Sequence, residues 1–190
     1  MFSLSCVLFV GLGVFFVIQP LSFLVFQETY VETSYLCGVN FIKIGMSYNL
    51  LKGKKGIIFG ALNEQSIAWK VAEKAVEEGA TITLSNTPVA VRMGEVSALA
   101  EKLHCEVIPA DATSVEDLEN VFKRSMEVLG GPVDFVLHSI GMSPNVRKKR
   151  TYDDLDYDML SKTLDISAVS FHKMIQAAKK LGAIADYGSI

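Results

Sequence analysis

From residue 53 onward, two hydrophobic patterns alternate along the chain. Short apolar runs, typical of buried parallel strands, occupy residues 56–60, 81–85, 106–109 and 133–138. Longer segments with apolar residues at helical spacing predict helices over 66–78, 91–103, 115–129 and much of 153–181. The alternation predicts an α/β fold of Rossmann type, a doubly wound parallel sheet with helices on both faces.

Ligands of such a sheet bind at the carboxyl ends of its strands, near the point where the strand order reverses. The candidate chemistry is therefore expected in the four loops that follow Phe59, Ser85, Pro109 and His138.

The first 45 residues have a different composition, with only three charged side chains, and residues 4–26 contain none. This apolar run is long enough to form a candidate transmembrane helix over about 4–26. The lysines that follow it would keep the main domain in the cytoplasm. Alternatively, residues 1–45 are translated upstream sequence and the protein starts at Met46. Either interpretation assigns residues 1–45 to a hydrophobic extension and 46–190 to the folded domain.

Charge and cysteine content exclude other classes of protein. The net charge of −3 argues against a nucleic-acid-binding protein, which usually carries a basic surplus. Cys6, Cys37 and Cys105 lie far apart, without the spacing of a zinc site or a disulfide framework. No metal site is expected, and a reducing compartment, the cytoplasm, is the expected location.

The loop after the first strand runs from Gly60 to Ser66. Gly60 permits a tight turn, and the helix that begins near Ser66 offers free N–H groups to a pyrophosphate. A plain turn followed by a helix cap would explain the same residues equally well. This loop alone therefore leaves both interpretations open.

The remaining loops favour a nucleotide site. Asp111 could accept a hydrogen bond from an adenine amino group, and Gly141 would let the backbone approach a ribose or nicotinamide. His138, at the end of an apolar strand, is expected to be structural. The stretch Ser85-Asn86-Thr87 has neither the acidic residue that binds an NAD ribose nor an arginine for a 2′-phosphate, so NADH versus NADPH stays open.

Five stretches carry a resemblance to a known family: Leu51-Lys52-Gly53-Lys54-Lys55-Gly56, Gly60-x5-Ser66-Ile67-Ala68, Asp111-Ala112, His138-Ser139-Ile140-Gly141, and Asp165-Ile166-Ser167 with Ser170-Phe171. In this order they resemble the enoyl-acyl-carrier-protein reductases of bacterial fatty-acid synthesis, a divergent branch of the short-chain dehydrogenases/reductases. The resemblance covers about residues 47–190.

The resemblance implies hydride transfer from NADH, with NADPH as the alternative, to the β-carbon of a trans-2-enoyl thioester on acyl carrier protein. It implies cofactor contacts by Gly60, Ser66 and Ile67 at the pyrophosphate and ribose, Thr87 near the adenosine, Asp111 and Ala112 at adenine, and Ile140 and Gly141 beside the nicotinamide ribose. Ser143 resembles the family position whose backbone meets the substrate. The resemblance also favours a homotetramer.

The sequence departs from the family in its catalytic residues. The family uses a Tyr-x6-Lys pair after the fifth strand, where the tyrosine stabilises the enolate oxygen. No such pair follows residues 133–138. The chain is expected to stop before the fifth strand, with Tyr187 preceding that strand and the catalytic tyrosine and lysine lying beyond Ile190. No catalytic residue is assigned, and the chain is expected to be an inactive fragment.

The basic run and the function of the chain each allow further interpretations. The basic run from Arg147 to Arg150 could steer an acidic acyl carrier protein, although a solvated loop explains it as well. The alternative function is a non-catalytic dinucleotide-binding module, which residues 4–26 could anchor to a membrane. Another short-chain reductase, acting on an alcohol or ketone, is disfavoured by the stretch from His138 to Gly141.

Overall fold

The computed structural model describes residues 7–10, 13–16 and 47–190, and its contacts divide the chain into two units between Lys43 and Ile44. In the first unit, strands β1 (Val7–Val10) and β2 (Gly13–Phe16) pair in antiparallel fashion. These strands correct the helix considered over about 4–26, because valine and phenylalanine favour strands. The other residues of that interval lie outside the described residues.

No helix among the described residues is both long and apolar enough to cross a membrane.

The second unit is built on a sheet of five parallel strands. These are β3 (Lys55–Phe59), β4 (Thr81–Asn86), β5 (Glu106–Pro109), β6 (Val133–His138) and β7 (Ile184–Ser189). Their order in space is β5-β4-β3-β6-β7, with β3 at the centre. The order reverses beside β3, which makes the carboxyl edge of β3 and β6 the expected ligand crevice.

The helices are α1 (Ile67–Glu77), α2 (Pro88–Arg92), α3 (Glu95–Leu103), α4 (Val115–Leu129), α5 (Pro144–Arg147), α6 (Tyr157–Leu164) and α7 (Ser170–Lys180). A 3₁₀ turn spans Tyr152–Asp154, and a π-helical segment spans Asp165–Val169. The helix predicted over 91–103 is two helices, because Gly94 adopts a left-handed conformation at φ +89° between them.

The fifth strand of this sheet corrects the expectation that the chain stops before it. Residues Ile184–Ser189 pair with β6, and Tyr187 lies inside the strand rather than before it. The segment IADYGS contains an aspartate and a glycine, which are depleted in strands, so its sequence did not predict a strand. The register also shifts between the Val133 and Phe135 pairings, and Tyr187 has φ +61°.

Each face of the sheet has its own hydrophobic core. Helices α4 and α7 cover one face, where Phe122 and Met174 are fully buried against the strands. Helices α1 and α3 cover the other, where Leu99 and Ala72 are fully buried. This two-sided burial explains why the strands read as continuous apolar runs.

A buried carboxylate connects α1 to the chain that leads into β3. The Glu78 carboxylate accepts hydrogen bonds from the backbone N–H groups of Tyr48 (3.0 Å) and Leu50 (3.2 Å), and lies 3.0 Å from the Lys74 ammonium. Lys74 and the two N–H groups hold the pKa of Glu78 below its ordinary value. A carboxylate with a lowered folded-state pKa stabilises the fold above the ordinary carboxyl pKa, and this contribution is lost as the pH falls through the lowered value.

We therefore expect Glu78→Gln to lower the free energy of unfolding at about pH 7 and to have a much smaller effect at about pH 3. Urea denaturation at both pH values measures the difference. Glu77→Gln is the matched control, because Glu77 also pairs with Lys74 (3.2 Å) but its side chain is 40% exposed. Equal effects of Glu78→Gln at the two pH values would contradict the assignment.

Candidate functional site

The parallel register brings four loops to one edge of the sheet. Phe59, the last residue of β3, pairs with Ser85 on one side and His138 on the other. Backbone hydrogen bonds continue beyond the strands, from Gly60 N to Ser85 O (3.0 Å) and from Ser139 N to Phe59 O (3.2 Å). The loops after β3, β4, β5 and β6 therefore share the carboxyl edge, as the sequence predicted.

Gly60 is required at its position for two reasons. Its φ of +94° lies in the left-handed region, which side chains with a Cβ rarely adopt. A Cβ built on Gly60 would also collide with the backbone carbonyl of Ser139. The absence of a side chain thus allows the loops after β3 and β6 to approach each other closely.

The first turn of α1 lacks the side-chain cap that α4 has. The Ser66 hydroxyl accepts from Leu62 N (3.2 Å) and donates to Asn63 O (2.7 Å), so it stabilises the preceding loop instead of capping α1. In α4, by contrast, the Ser114 hydroxyl accepts from Asp117 N (3.2 Å). The first turn of α1 contains no acidic residue, whereas that of α4 contains two. Uncapped amides at a helix N-terminus suit an anion such as a pyrophosphate.

Asn86 ties the loop after β4 to the loop after β3. Its side-chain amide donates to Ala61 O (2.7 Å), and its side-chain oxygen accepts from Thr87 N (2.8 Å). Thr87 in turn caps α2 by accepting from Ala90 N (3.3 Å). In the sequence, Asn86 marks only the place of a missing acidic residue, because a hydrogen bond between two loops leaves no signal in a sequence pattern.

The loop after β5 is held by Asp111. The Asp111 Oδ1 atom accepts from the N–H (2.9 Å) and the hydroxyl (2.7 Å) of Thr113, while Asp111 N donates to the Asp117 carboxylate (2.9 Å). Asp111 is exposed, and Ala112 is buried against the core beside α4. These contacts orient the Asp111 carboxylate at the edge of the sheet. Both Thr113 groups donate to Oδ1, and neither donates to Oδ2.

The loop after β6 contains the last three predicted site residues. Ile140 packs against the core on the side of α4 and α7. A Cβ on Gly141 would meet no atom within 4 Å, so a need for glycine there would have to come from a ligand. Ser143 caps α5 by accepting from Val146 N (3.4 Å), and its hydroxyl lies 3.5 Å from that of Thr163, whose proton is donated to Met159 O (2.9 Å).

His138 is held as a structural residue. Its Nε2 atom lies 2.8 Å from the Ser170 hydroxyl, whose proton is donated to Ile166 O at 2.6 Å. Because that hydroxyl has one proton, Nε2 of His138 must be the donor. Burial lowers the pKa of His138, which keeps the ring neutral near pH 7. This arrangement agrees with the structural role that the sequence predicted.

The family that the sequence resembles uses a tyrosine and a lysine separated by six residues. In this sequence no such pair falls at the carboxyl edge of the sheet. Tyr48 and Lys55 have the required spacing, but Lys55 begins β3 and both therefore lie at the opposite, amino edge. Tyr187 in β7 is fully exposed, and no lysine follows it in the sequence.

The strand order and the loops at its carboxyl edge define the class of the protein: a Rossmann-type doubly wound α/β protein. A sequence model described as enoyl-(acyl carrier protein) reductase matches residues 60–190. The chain belongs to the enoyl-(acyl carrier protein) reductase family, which confirms the resemblance predicted from the sequence.

Similar proteins are named enoyl-[acyl-carrier-protein] reductase [NADH]. The chain is 34% identical to enoyl-[acyl-carrier-protein] reductase [NADH] 1 of Rhizobium meliloti (strain 1021), over 74% of this chain and 51% of that protein. It is 33% identical to the FabI protein of Rickettsia bellii (strain RML369-C), over 76% of this chain and 54% of that one.

Among solved structures, FabI from Alistipes finegoldii is 74% identical, with a TM-score of 0.73, over 75% of this chain and 55% of that chain. Its complex with NADH gives a TM-score of 0.74, again at 74% identity, over 75% of this chain and 50% of that chain. The chain spans about half the length of the curated relatives it matches.

Proposed function

We propose that residues 46–190 are the dinucleotide-binding domain of an NADH-dependent reductase of trans-2-enoyl groups carried on acyl carrier protein, in fatty acid biosynthesis. The observation that carries the proposal is the edge formed by Gly60 and the uncapped first turn of α1, which suits a pyrophosphate. The NADH-dependent relatives and the similar FabI–NADH complex support NADH as the cofactor, with NADPH as the alternative to be tested.

In this proposal, each loop at the carboxyl edge holds one part of the cofactor. Gly60, Ser66 and Ile67 take the pyrophosphate and ribose, Thr87 lies near the adenosine, Asp111 and Ala112 bind adenine, and Ile140 and Gly141 lie beside the nicotinamide ribose. The backbone at Ser143 meets the enoyl substrate. The bound cofactor would supply the hydride, and the residues of this chain bind and orient it.

Cofactor binding and turnover require different residues. Hydride transfer to the β-carbon leaves an enolate that must be stabilised and protonated. No Tyr-x6-Lys pair follows β6 in this sequence, and neutral His138 is engaged with Ser170. We therefore expect the 190-residue chain to bind NADH without reducing a crotonyl thioester.

Trp69, the single tryptophan, provides the binding test. It is buried in the first turn of α1, the helix whose N-terminus is proposed to hold the pyrophosphate. Energy transfer from Trp69 to NADH should rise with NADH concentration and saturate, and should be weaker with NADPH at the same concentration. Equal binding of NADPH would remove the cofactor preference. No binding of either cofactor would refute the proposed site.

We also propose an acidic acyl carrier protein as the partner of the basic run. Arg147, Lys148 and Lys149 are exposed, whereas Arg150 is paired with the Asp154 carboxylate (3.1 Å). Attraction between such charges is screened by salt. Binding of purified acyl carrier protein that weakens as salt is added supports this partner, and salt-independent binding contradicts it.

A homotetramer and a cytoplasmic location complete the proposal. Tyr157 and Leu164 of α6 and Phe171 of α7 are exposed large hydrophobic residues, which a subunit interface would cover. Light scattering with size-exclusion chromatography decides the oligomeric state.

The free thiol of Cys105 fits a reducing compartment.

A further inference from the structure

The π-helical segment Asp165–Val169 lies between α6 and α7 and is connected to two loops of the proposed cofactor site. We call residues 111–114 the β5 loop and residues 139–143 the β6 loop. We propose that this segment couples the β5 loop to the β6 loop, with Lys173 and Ser167 as the positioning residues. The inference rests on the function proposed above, since the two loops are assigned to the adenine and nicotinamide ends of the cofactor.

Lys173 forms the connection to the β5 loop. Its ammonium group donates to the Asp165 carboxylate at 2.9 Å and to the Thr113 backbone oxygen at 3.0 Å. The Lys173 side chain is 24% exposed, so water competes for these bonds less than on an open surface. One cation therefore joins the first residue of the π-helical segment to the loop that contains Asp111.

Ser167 forms the connection to the β6 loop. Its hydroxyl accepts from Met142 N at 3.1 Å and lies 3.4 Å from Met142 O, to which it can donate. The side chain thus satisfies both backbone groups of a loop residue that follows Gly141. Met142 precedes Ser143, the residue proposed to meet the substrate.

A third contact anchors the same segment beneath the end of β6. The Ile166 backbone oxygen accepts from the Ser170 hydroxyl at 2.6 Å, and that hydroxyl lies 2.8 Å from His138 Nε2. Ser170 is fully buried. Consecutive residues of the segment are therefore connected to the β5 loop through Lys173, to the end of β6 through Ser170, and to the β6 loop directly through Ser167. Single-turn π insertions are frequent at functional sites.

If the π-helical segment couples the β5 loop to the β6 loop, breaking either connection should loosen both loops. Lys173→Met removes the charge and the donor at the β5 loop, and Ser167→Ala removes the hydroxyl at the β6 loop. We expect each variant to raise amide hydrogen exchange in both loops by about three- to tenfold in the ligand-free 190-residue chain. Faster exchange only in the loop that the substituted residue contacts would overturn the proposal.

Two further variants separate positioning from a general loss of stability. Lys180→Met breaks a different contact of α7, the 2.7 Å pair with Glu119 of α4, and should leave exchange in both loops unchanged. Lys173→Arg keeps a cationic donor and should restore most of the protection that Lys173→Met removes. Equal loop exchange in Lys180→Met and Lys173→Met, or no rescue by arginine, would assign Lys173 a merely structural role.

Ligand binding provides an independent measurement. ADP carries the adenosine and the two phosphates of the cofactor but neither the nicotinamide nor its ribose, which are assigned to the β6 loop. A purely local effect of Ser167→Ala at the β6 loop would therefore leave the affinity for ADP unchanged. We expect Ser167→Ala to weaken ADP binding by about three- to tenfold, through the π-helical segment. Unchanged ADP affinity overturns the coupling. If the unsubstituted chain binds neither NADH nor ADP, the proposed function fails, and the exchange experiment still decides the coupling.

Discussion

Gly60→Ala should weaken NADH binding by more than about 30-fold and destabilise the domain. The substitution places a Cβ on a residue at φ +94°, which costs about 1–2 kcal/mol for an L side chain. The same Cβ collides with the Ser139 carbonyl, and forcing apart packed groups costs about 1–3 kcal/mol more. A combined penalty of about 2–5 kcal/mol moves the loops after β3 and β6 apart, where the cofactor is proposed to bind. Titration followed by Trp69 energy transfer measures the loss.

Gly53→Ala is the matched control for this prediction. Gly53 also has a positive φ, +76°, but a Cβ there would meet no atom within 4 Å, and the residue precedes β3 at the amino edge. It should cost about 1 kcal/mol of stability and leave NADH affinity unchanged. NADH affinity within threefold of the unsubstituted chain for Gly60→Ala (roughly 0.7 kcal/mol) would show that the loop contact does not shape the site.

Phe122→Ala should produce the largest loss of stability outside the site. Phe122 lies on α4, is fully buried, and its ring centre is 6.5 Å from that of Phe59. Removing a buried phenylalanine ring costs about 3–5 kcal/mol, because the cavity that remains is only partly filled by relaxation. For a domain of this size the loss corresponds to a fall of about 10–15 °C in Tm.

Val128→Ala tests whether this loss depends on burial. Val128 lies on the same helix but is 41% exposed, so its truncation should change the unfolding free energy by less than about 0.5 kcal/mol. Thermal and urea denaturation of both variants provide the comparison. If Phe122→Ala and Val128→Ala were equally stable, the core beneath Phe59 would not be packed as the structure has it.

The sequence predicted most of the sheet and its helices because their buried residues recur with the regular spacing of strands and helices. The strand Glu106–Pro109 and the helix Val115–Leu129 have the bounds that their apolar periodicity and caps indicated. The doubly wound fold and the family were also predicted and are confirmed. The roles of the site residues remain predictions, since geometry alone places them at one edge without testing what they bind.

The features that the sequence did not predict depend on backbone geometry and on contacts that local preferences do not indicate. Strand β7 contains residues that disfavour strands, yet it forms because β6 offers an edge with unpaired backbone groups. The helix expected over much of 153–181 contains a π-helical segment, which periodicity of 3.6 residues cannot indicate. Asn86 and Lys173 act through bonds to backbone oxygens distant in sequence, at Ala61 and Thr113.

The sequence by itself therefore determined the class of fold, the family and the four loops in which a cofactor site must lie, because burial patterns and turn residues are local properties. Only the tertiary structure decided how those loops are held together. Gly60 against Ser139, and Lys173 between Asp165 and Thr113, are contacts between segments far apart in the chain. Their geometry depends on parallel strands ending at the same edge, which no local pattern specifies.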